Sequence, residues 1–298
     1  SYCDNNPYHG WIMSYNAATL QQEGVWNATP NGTRGGVWQA GGGLAADDDG
    51  EIYFATGNGT FNGKSGSTEF SDSIVKLNLT GNSLSLVDYF TPYNQQSLSQ
   101  GDVDVGSGGV LLVPDLPSGS AFTHLLIQTG KEGSIYVVNR DGMGGFHNGN
   151  NNQIVQFMPS AVAGLWATPT FWNNNVYFGG GGDGIRSFAF NPTKGLLSNS
   201  STRTKTLFDY PGPTPSVSSN GTTNGILWAL QTDGYGNGKN SILYAYDATN
   251  VSTVLYNSSQ VIGRDTLTGA VKFTVPTIAN GKVYVGTTNA LTTLGLLP

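Results

Sequence analysis

The sequence predicts an all-β fold, a β-propeller built from four-stranded antiparallel blades. Short stretches of alternating apolar and polar residues occur along the whole chain, and none has the period of an amphipathic helix of even three turns. Clusters of Gly, Asn and Asp separate these stretches, as turns separate short strands. A pair of strands also recurs at regular intervals, which is typical of propeller blades and not of a β-sandwich.

The recurring pair begins with a strand that ends in a glycine or a turn. Counted from Tyr53, its copies recur after 73, 51, 51 and 56 residues. These copies are "EIYFATGNG" at 51–59, "LLIQTGKEG" at 125–133, "VYFGGGGDG" at 176–184, "ILWALQTDG" at 226–234 and "KVYVGTTN" at 282–289. The second strands that follow are "SIVKLNL", "SIYVVNR", "IRSFAF", "LYAYDA" and "LTTLGL". The opening segment "WIMSYNA" at 11–17 is similar to these second strands.

The repeats predict a single β-propeller domain over residues 1–298, with about five to six blades visible. The predicted blades are an incomplete first blade at 1–38, four blades at about 39–100, 101–160, 161–211 and 212–268, and a partial last blade at 269–298. Because the chain begins at the third strand of a blade, we expect one or more N-terminal blades to be absent from it.

Charge is scarce in this chain. Charged residues make up 11% of the sequence, against about 25% in typical soluble domains, and the net charge is −6. Such a balance argues against nucleic acid and anionic membrane surfaces as partners. No apolar run approaches the roughly 20 residues of a membrane span. The remaining partners are a glycan or protein ligand, a small alcohol or sugar substrate, or a second copy that pairs at exposed blade edges.

Eight N-x-[ST] sequons favour a secreted, extracellular or periplasmic glycoprotein, although a chain rich in Asn, Ser and Thr also generates them by chance. The candidate glycosylation sites are Asn27, Asn31, Asn58, Asn78, Asn199, Asn220, Asn250 and Asn257. The single cysteine, Cys3, excludes an internal disulfide and fits either redox compartment. No signal peptide is recognisable, so a secreted chain is expected to be mature or trimmed.

Several stretches resemble the quinoprotein alcohol dehydrogenase-like β-propellers that bind pyrroloquinoline quinone (PQQ). "AYDATN" at 245–250, and more loosely "SYNAATL" at 14–20, resemble the "A-x-D-x-x-T-G" signature of their repeats. "IYFATGNG" at 52–59 resembles the family's "Y-F-G-T-G-N-P" stretch. "GKEGSIYVVNRDGMG" at 130–144 resembles a further run of that family. The resemblance extends from about residue 4 to the C-terminus.

The resemblance implies a site for calcium and PQQ. Asn58 matches the asparagine that ligates calcium beside the quinone, Asp4 lies near a calcium-binding glutamate, and Asp104 is a further metal candidate. Asp102 matches the aspartate proposed as the catalytic base. Calcium prefers such oxygen ligands and polarises a quinone carbonyl, while a carboxylate can accept the proton of a substrate hydroxyl.

Two further residues are implied to contact the cofactor. Trp38 lies near the place of the tryptophan that stacks under the quinone ring, and Lys131 matches a basic residue that hydrogen-bonds the quinone oxygens. The chain departs from the family at "TGNG", which lacks the usual proline, and at "GDVDVGSGG", which lacks the usual aromatic residues. The adjacent-cysteine disulfide that caps the quinone is absent as well.

Each matched residue also has a purely structural interpretation. Asn58 suits a turn, because asparagine tolerates left-handed backbone geometry, and Trp38 suits packing between blades. Asp102 and Asp104 alternate with valines, so both carboxylates are expected on one face of a strand if they are functional, and the structural alternative is a solvated strand edge or turn. Lys131 fits a polar turn. The polar loop at 145–153 is a tolerated insertion or a contact surface.

Two functions fit these observations. The first is a secreted, non-catalytic binding or scaffold/assembly module for a glycan or protein ligand, which needs no cofactor. The alternative is a PQQ- and calcium-dependent dehydrogenase that oxidises an alcohol or sugar. The altered cofactor motifs and the abundance of amides and hydroxyls favour the first function for the chain as given.

Overall fold

The computed structural model describes residues 5–63 and 66–296, and strands dominate it. The chain divides into two compact units. One unit comprises the residues up to Gln39 together with Gly43–Ala161, and the other comprises Ala40–Gly42 and the residues from Val162 onward. The single domain and the blade boundaries expected from the sequence stay predictions.

Strands of the first unit form three sheets. The strands are β1 (Trp11–Tyr15), β2 (Gln22–Asn27), β3 (Ala45–Ala46), β4 (Ile52–Ala55), β5 (Ile74–Thr80), β6 (Ser83–Thr91), β7 (Leu111–Leu112), β8 (Leu125–Thr129), β9 (Ile135–Asn139), β10 (Gly145–Phe146) and β11 (Gln156–Met158). They are ordered β1-β2, β10-β6-β5-β4-β3 and β11-β9-β8-β7. Neighbouring strands are antiparallel, except that β10 pairs in parallel with β6.

The middle sheet of this unit has an apolar core on each face. Tyr53 of β4 and Ile74 of β5 pack with residues of β8 and β9, such as Leu126. Their neighbours Phe54 and Val75 point the other way and pack in a second cluster, which includes Ile12 of β1. Successive side chains of a strand point to opposite faces, so a sheet covered on both faces needs an almost continuous apolar run.

The second unit has the same organisation. Its strands are β12 (Thr170–Trp172), β13 (Asn175–Phe178), β14 (Arg186–Asn191), β15 (Leu196–Arg203), β16 (Ser216–Asn220), β17 (Thr223–Gln231), β18 (Ile242–Asp247), β19 (Asn250–Asn257), β20 (Thr277–Ala279), β21 (Lys282–Gly286) and β22 (Leu291–Gly295). They form the sheets β12-β13-β14-β15, β16-β17-β18-β19 and β20-β21-β22. One core cluster joins the first two of these sheets and another joins the last two.

The strand pairs expected from the repeat are adjacent antiparallel strands in every sheet concerned. They are β4 with β5, β8 with β9, β13 with β14, β17 with β18 and β21 with β22. The all-β architecture of four-stranded antiparallel sheets predicted from the sequence is therefore confirmed.

Little helix interrupts the strands. A short helix, α1 (Gln95–Gln100), follows β6, and a 3-10 turn covers Val105–Ser107. Among the described residues, no helix has the length and apolar character needed to cross a bilayer.

The strand expected at Asp102 and Asp104 is wrong. Residues 101–102 form a turn, residues 103–104 lie outside any strand and lead into the 3-10 turn, and Asp102 has a left-handed backbone with φ of 56°. Gly106 packs so closely on the backbone of Thr56 that a side chain there would overlap it. This close approach and the left-handed Asp102 break the extended geometry that alternation with valine suggested.

Candidate functional site

The corner after β4 is a buried loop held on two sides by backbone hydrogen bonds. The amide of Gly57 donates to the carbonyl of Gly36 at 2.8 Å, and the carbonyl of Asn58 accepts from Gly35 at 2.8 Å. On the other side, the amide of Asp72 donates to the carbonyl of Gly57 at 2.9 Å. Asn58 is only 5% exposed as a result. A residue that looks like a surface turn in the sequence therefore lies inside the unit.

Asn58 is bound on two sides by carboxylates. Its backbone amide donates to Asp104 Oδ1 at 2.8 Å, and its side-chain Nδ2 donates to Asp102 Oδ1 at 2.8 Å. Its Oδ1 is buried and has no hydrogen-bond partner among the described residues. Nδ2, the atom to which a glycan would be attached, lies against Asp102 in a residue that is only 5% exposed, and glycosylation of Asn58 stays a prediction.

The two aspartates differ sharply in environment. The Asp102 side chain is 84% exposed, whereas that of Asp104 is 5% exposed. Their carboxylates converge on one cation, because Lys131 Nζ lies 3.2 Å from Asp102 Oδ2 and 2.6 Å from Asp104 Oδ2. The structure thus brings the pair together through a lysine and not along a strand.

Lys131 is the centre of this cluster. Its backbone amide also donates to the carbonyl of Asp104 at 3.0 Å, and Nζ lies 5.2 Å from the ring centroid of Trp38. Burial by itself lowers the pKa of the ammonium, but the contacts with Asp104 and Asp102 outweigh it and leave the pKa raised. Lys131 is therefore held firmly in its charged form, and the negative face of the indole adds to this stabilisation.

Trp38 covers the outer side of the corner loop. Its ring is 40% exposed, and its Nε1 would lie 3.3 Å from a side-chain carbon placed on Gly57. The same carbon would overlap Oδ1 of Asp104. Trp38 and Asp104 therefore approach the loop closely only because residue 57 has no side chain.

Replacing Gly57 with alanine is expected to lower the free energy of unfolding by about 1–3 kcal/mol, because the added methyl group forces the packed groups apart. Urea denaturation at pH 7 measures this change. Gly142→Ala is the matched control, since a methyl group there meets nothing within 4 Å, and its effect should stay within about 0.5 kcal/mol. Equal stability of the Gly57 variant and the wild type would contradict this tight contact.

Asp72 and Gln95, which the sequence did not single out, complete the cluster. Asp72 accepts from the amide of Val105 at 3.2 Å and from Nε2 of Gln95 at 3.3 Å, and it has a left-handed backbone with φ of 49°. The pKa of this carboxyl is raised to about 8, chiefly by burial and also by the nearby Asp104, while its hydrogen bonds with Val105 and Gln95 oppose this shift. Asp72 stands between two serines in the sequence, and no local signal distinguishes it from an ordinary turn residue.

The donor set does not fit a calcium ion in this arrangement. Calcium takes about six to eight oxygen ligands. All four carboxylate oxygens of Asp102 and Asp104 already accept from Asn58 or pair with the ammonium of Lys131, so Asn58 Oδ1 alone remains free among these groups. Nowhere in residues 5–63 and 66–296 are three or more His, Cys, Asp or Glu placed to hold a metal.

Asp4 lies outside the described residues, so its role as a ligand stays a prediction. The roles of Trp38 and Lys131 toward a quinone also stay predictions.

The remaining sequons differ in accessibility. The exposed asparagines are Asn31, Asn199, Asn220 and Asn250. The half-buried ones are Asn27, Asn78 and Asn257. Glycosylation of any of them stays a prediction.

Comparison with known proteins bears on the fold of this chain. No protein-family model matches the chain, and no curated protein matches it. Solved structures do match it, and they place the chain among the β-propellers, as the sequence predicts. At sequence identities of 13–15%, this likeness concerns the fold alone.

Two of these structures are quinohemoprotein alcohol dehydrogenases. ADHIIG from Pseudomonas putida HK5 matches 94% of this chain with a TM-score of 0.55 and 15% identity. The enzyme from Comamonas testosteroni matches 94% with a TM-score of 0.57 and 13% identity. The chain spans about half the length of both enzymes, at 52% of each. A third structure, BBS1N in complex with ARL6DN, matches 96% of this chain and 71% of its own with a TM-score of 0.51 and 13% identity.

Proposed function

We propose that this chain is a non-catalytic binding or scaffold propeller, secreted or periplasmic, that takes a glycan or a protein as its ligand. One observation carries the proposal. The polar groups that the resemblance assigns to a quinone site pair with one another, since Lys131 forms ion pairs with both aspartates and Asn58 donates to both carboxylates through its backbone and side-chain amides.

Such a cluster suits a structural role better than a catalytic one. A general base needs a carboxylate that is free to reach a substrate proton. Here both oxygens of Asp102 are engaged, one by Asn58 and one by Lys131. The same contacts tie together three loops that are distant in sequence, those at residues 57–59, 102–105 and 130–132. Removing these contacts is expected to destabilise the three loops before it affects any catalytic step.

A PQQ- and calcium-dependent dehydrogenase for alcohols or sugars is the second candidate. The observation that favours it is the convergence of Trp38, Asn58, Asp102 and Lys131 in one cluster, together with the unpaired Oδ1 of Asn58. The propeller fold shared with the two alcohol dehydrogenases is compatible with it, but a fold does not define a reaction.

Calorimetric titration of PQQ with calcium chloride into the folded protein separates the two candidates. We expect no saturable heat from the wild type, because the donor groups are already paired. Saturable binding that is lost in Asn58→Ala and in Asp102→Ala would overturn the proposal in favour of the dehydrogenase. Asn199→Ala and Asp48→Ala, at exposed positions, are matched controls and should leave any binding unchanged.

A further inference from the structure

A cavity of about 720 Å³ lies beside the corner loop in the first unit. Residues 59–63, the helix α1 and the segment that ends β10 supply its walls. Its volume falls within the range of about 300–1,000 Å³ that is typical of small-molecule sites. No residue of the Lys131 cluster other than Gln95, which contacts Asp72, lines this cavity.

Three aromatic rings line the cavity. Phe61 and Phe146 meet edge to face with ring centroids 5.1 Å apart, and Tyr93 is 41% exposed. Exposed aromatic rings offer a negative face that attracts weakly positive C–H groups, such as those on the apolar face of a sugar ring.

The walls are anchored to the sheets. The backbone of Phe61 forms a β-bridge with Phe70, and β10 holds Phe146 opposite Thr91 of β6. The helix is tied to the corner loop by Ser99, whose hydroxyl accepts from the amide of Gly59 at 3.0 Å. A site formed before the ligand arrives loses less conformational freedom on binding.

The polar part of the lining consists of amides and hydroxyls. Gln96, Gln100 and Asn148 contribute exposed side-chain amides to the lining. These amides make no hydrogen bond to the described part of the protein. Each amide carries one acceptor oxygen and two donor hydrogens, which match the paired donor and acceptor character of sugar hydroxyls.

None of the described residues that line the cavity is charged. A phosphate, a carboxylated sugar or a cationic peptide would find no counter-ion among these described residues. We infer that this cavity binds a neutral oligosaccharide, whose pyranose rings contact Phe61, Tyr93 and Phe146 while the free amides bind their hydroxyls. The site rests on the proposed function and specifies its ligand as a neutral glycan.

Titration of the protein with neutral trisaccharides tests this site. The probes are maltotriose, cellotriose, mannotriose and triacetylchitotriose, and the readout is calorimetry together with quenching of intrinsic fluorescence. We expect saturable binding of at least one probe. Tyr93→Ala and the double variant Gln96→Ala/Gln100→Ala should each raise the Kd about tenfold, since one ring contact or a pair of amide bonds is lost.

Matched controls keep this test specific. Tyr15→Ala and Gln21→Ala remove an exposed aromatic ring and an exposed amide away from the cavity, and they should leave the Kd unchanged. Circular dichroism confirms that every variant is folded. Absence of binding to all four neutral probes, binding unaffected by Tyr93→Ala, or binding of sialyllactose alone would each overturn the site.

The proposed function and the oligosaccharide site are contradicted by different results. If PQQ binds with calcium, the non-catalytic role is wrong whatever the sugars do. If neither PQQ nor a neutral sugar binds, the oligosaccharide site is wrong while a protein-binding propeller is retained.

Discussion

Replacing Lys131 with methionine is expected to lower the free energy of unfolding by about 3–5 kcal/mol at pH 7, because it removes one partner of a buried ion pair. Methionine keeps an apolar stem of similar length but leaves the carboxylate of Asp104, which is 5% exposed, without its cation 2.6 Å away. Urea denaturation followed by circular dichroism measures the change.

A second substitution should rescue much of this loss. In Lys131→Met/Asp104→Asn, the buried carboxylate is replaced by a neutral amide, so the double variant is expected to be more stable than Lys131→Met alone. Lys205→Met is the matched control, since Lys205 is exposed, and it should change the free energy of unfolding by less than about 0.5 kcal/mol. A Lys131→Met variant as stable as this control would show that the cluster contributes nothing to the fold.

Replacing Asp72 with asparagine is expected to remove a large pH dependence of stability. The folded carboxyl has a pKa raised to about 8, chiefly by burial, against 3.8 for an ordinary aspartate. Between these two pH values the folded state keeps a proton that the unfolded chain releases, so wild-type stability falls as the pH rises through this window. The slope approaches about 1.4 kcal/mol per pH unit at its steepest.

Asparagine imitates the protonated carboxyl, and it also tolerates the left-handed backbone at this position. We therefore expect Asp72→Asn to lack this decline and to gain on the wild type steadily from about pH 4 to about pH 8. The measurement is the difference between the two unfolding free energies at each pH. Asp48→Asn, at an exposed turn, is the control. A difference that stays constant over the window would mean that Asp72 is ionised in the folded protein at neutral pH.

The fold was predictable because short, largely apolar strands bounded by turn residues recur along the chain. "IYFA" in β4 and "SIVKLNL" around β5 place apolar side chains on both faces, and the same pairing recurs along the chain. The resemblance also placed Trp38, Asn58 and Lys131 in one site, and the structure brings them into one cluster.

The internal arrangement of that cluster was not predictable from local patterns. The alternation of Asp102 and Asp104 with valines suggests a strand, but the close packing of Gly106 on Thr56 imposes turns there instead. Asp72 acquires its raised pKa chiefly from burial by segments distant in sequence and also from Asp104, and the hydrogen bonds from Gln95 and Val105 only partly oppose this shift. The residues that flank an aspartate in the sequence do not show whether distant segments bury it.

The parallel pairing of β10 with β6 also bears on how such a chain can change during evolution. Residues 145–146 follow β9 in the chain, yet they complete the sheet formed by β3 to β6. The amide of Met143 reinforces this exchange by donating to Asp88 at 2.7 Å. A duplication or deletion with its boundary between the coding regions of β6 and β7 would separate β10 from β6 and leave the edge of β6 unpaired. In this part of the protein, one repeat therefore depends on a segment after the strand pair of the next repeat to complete its sheet.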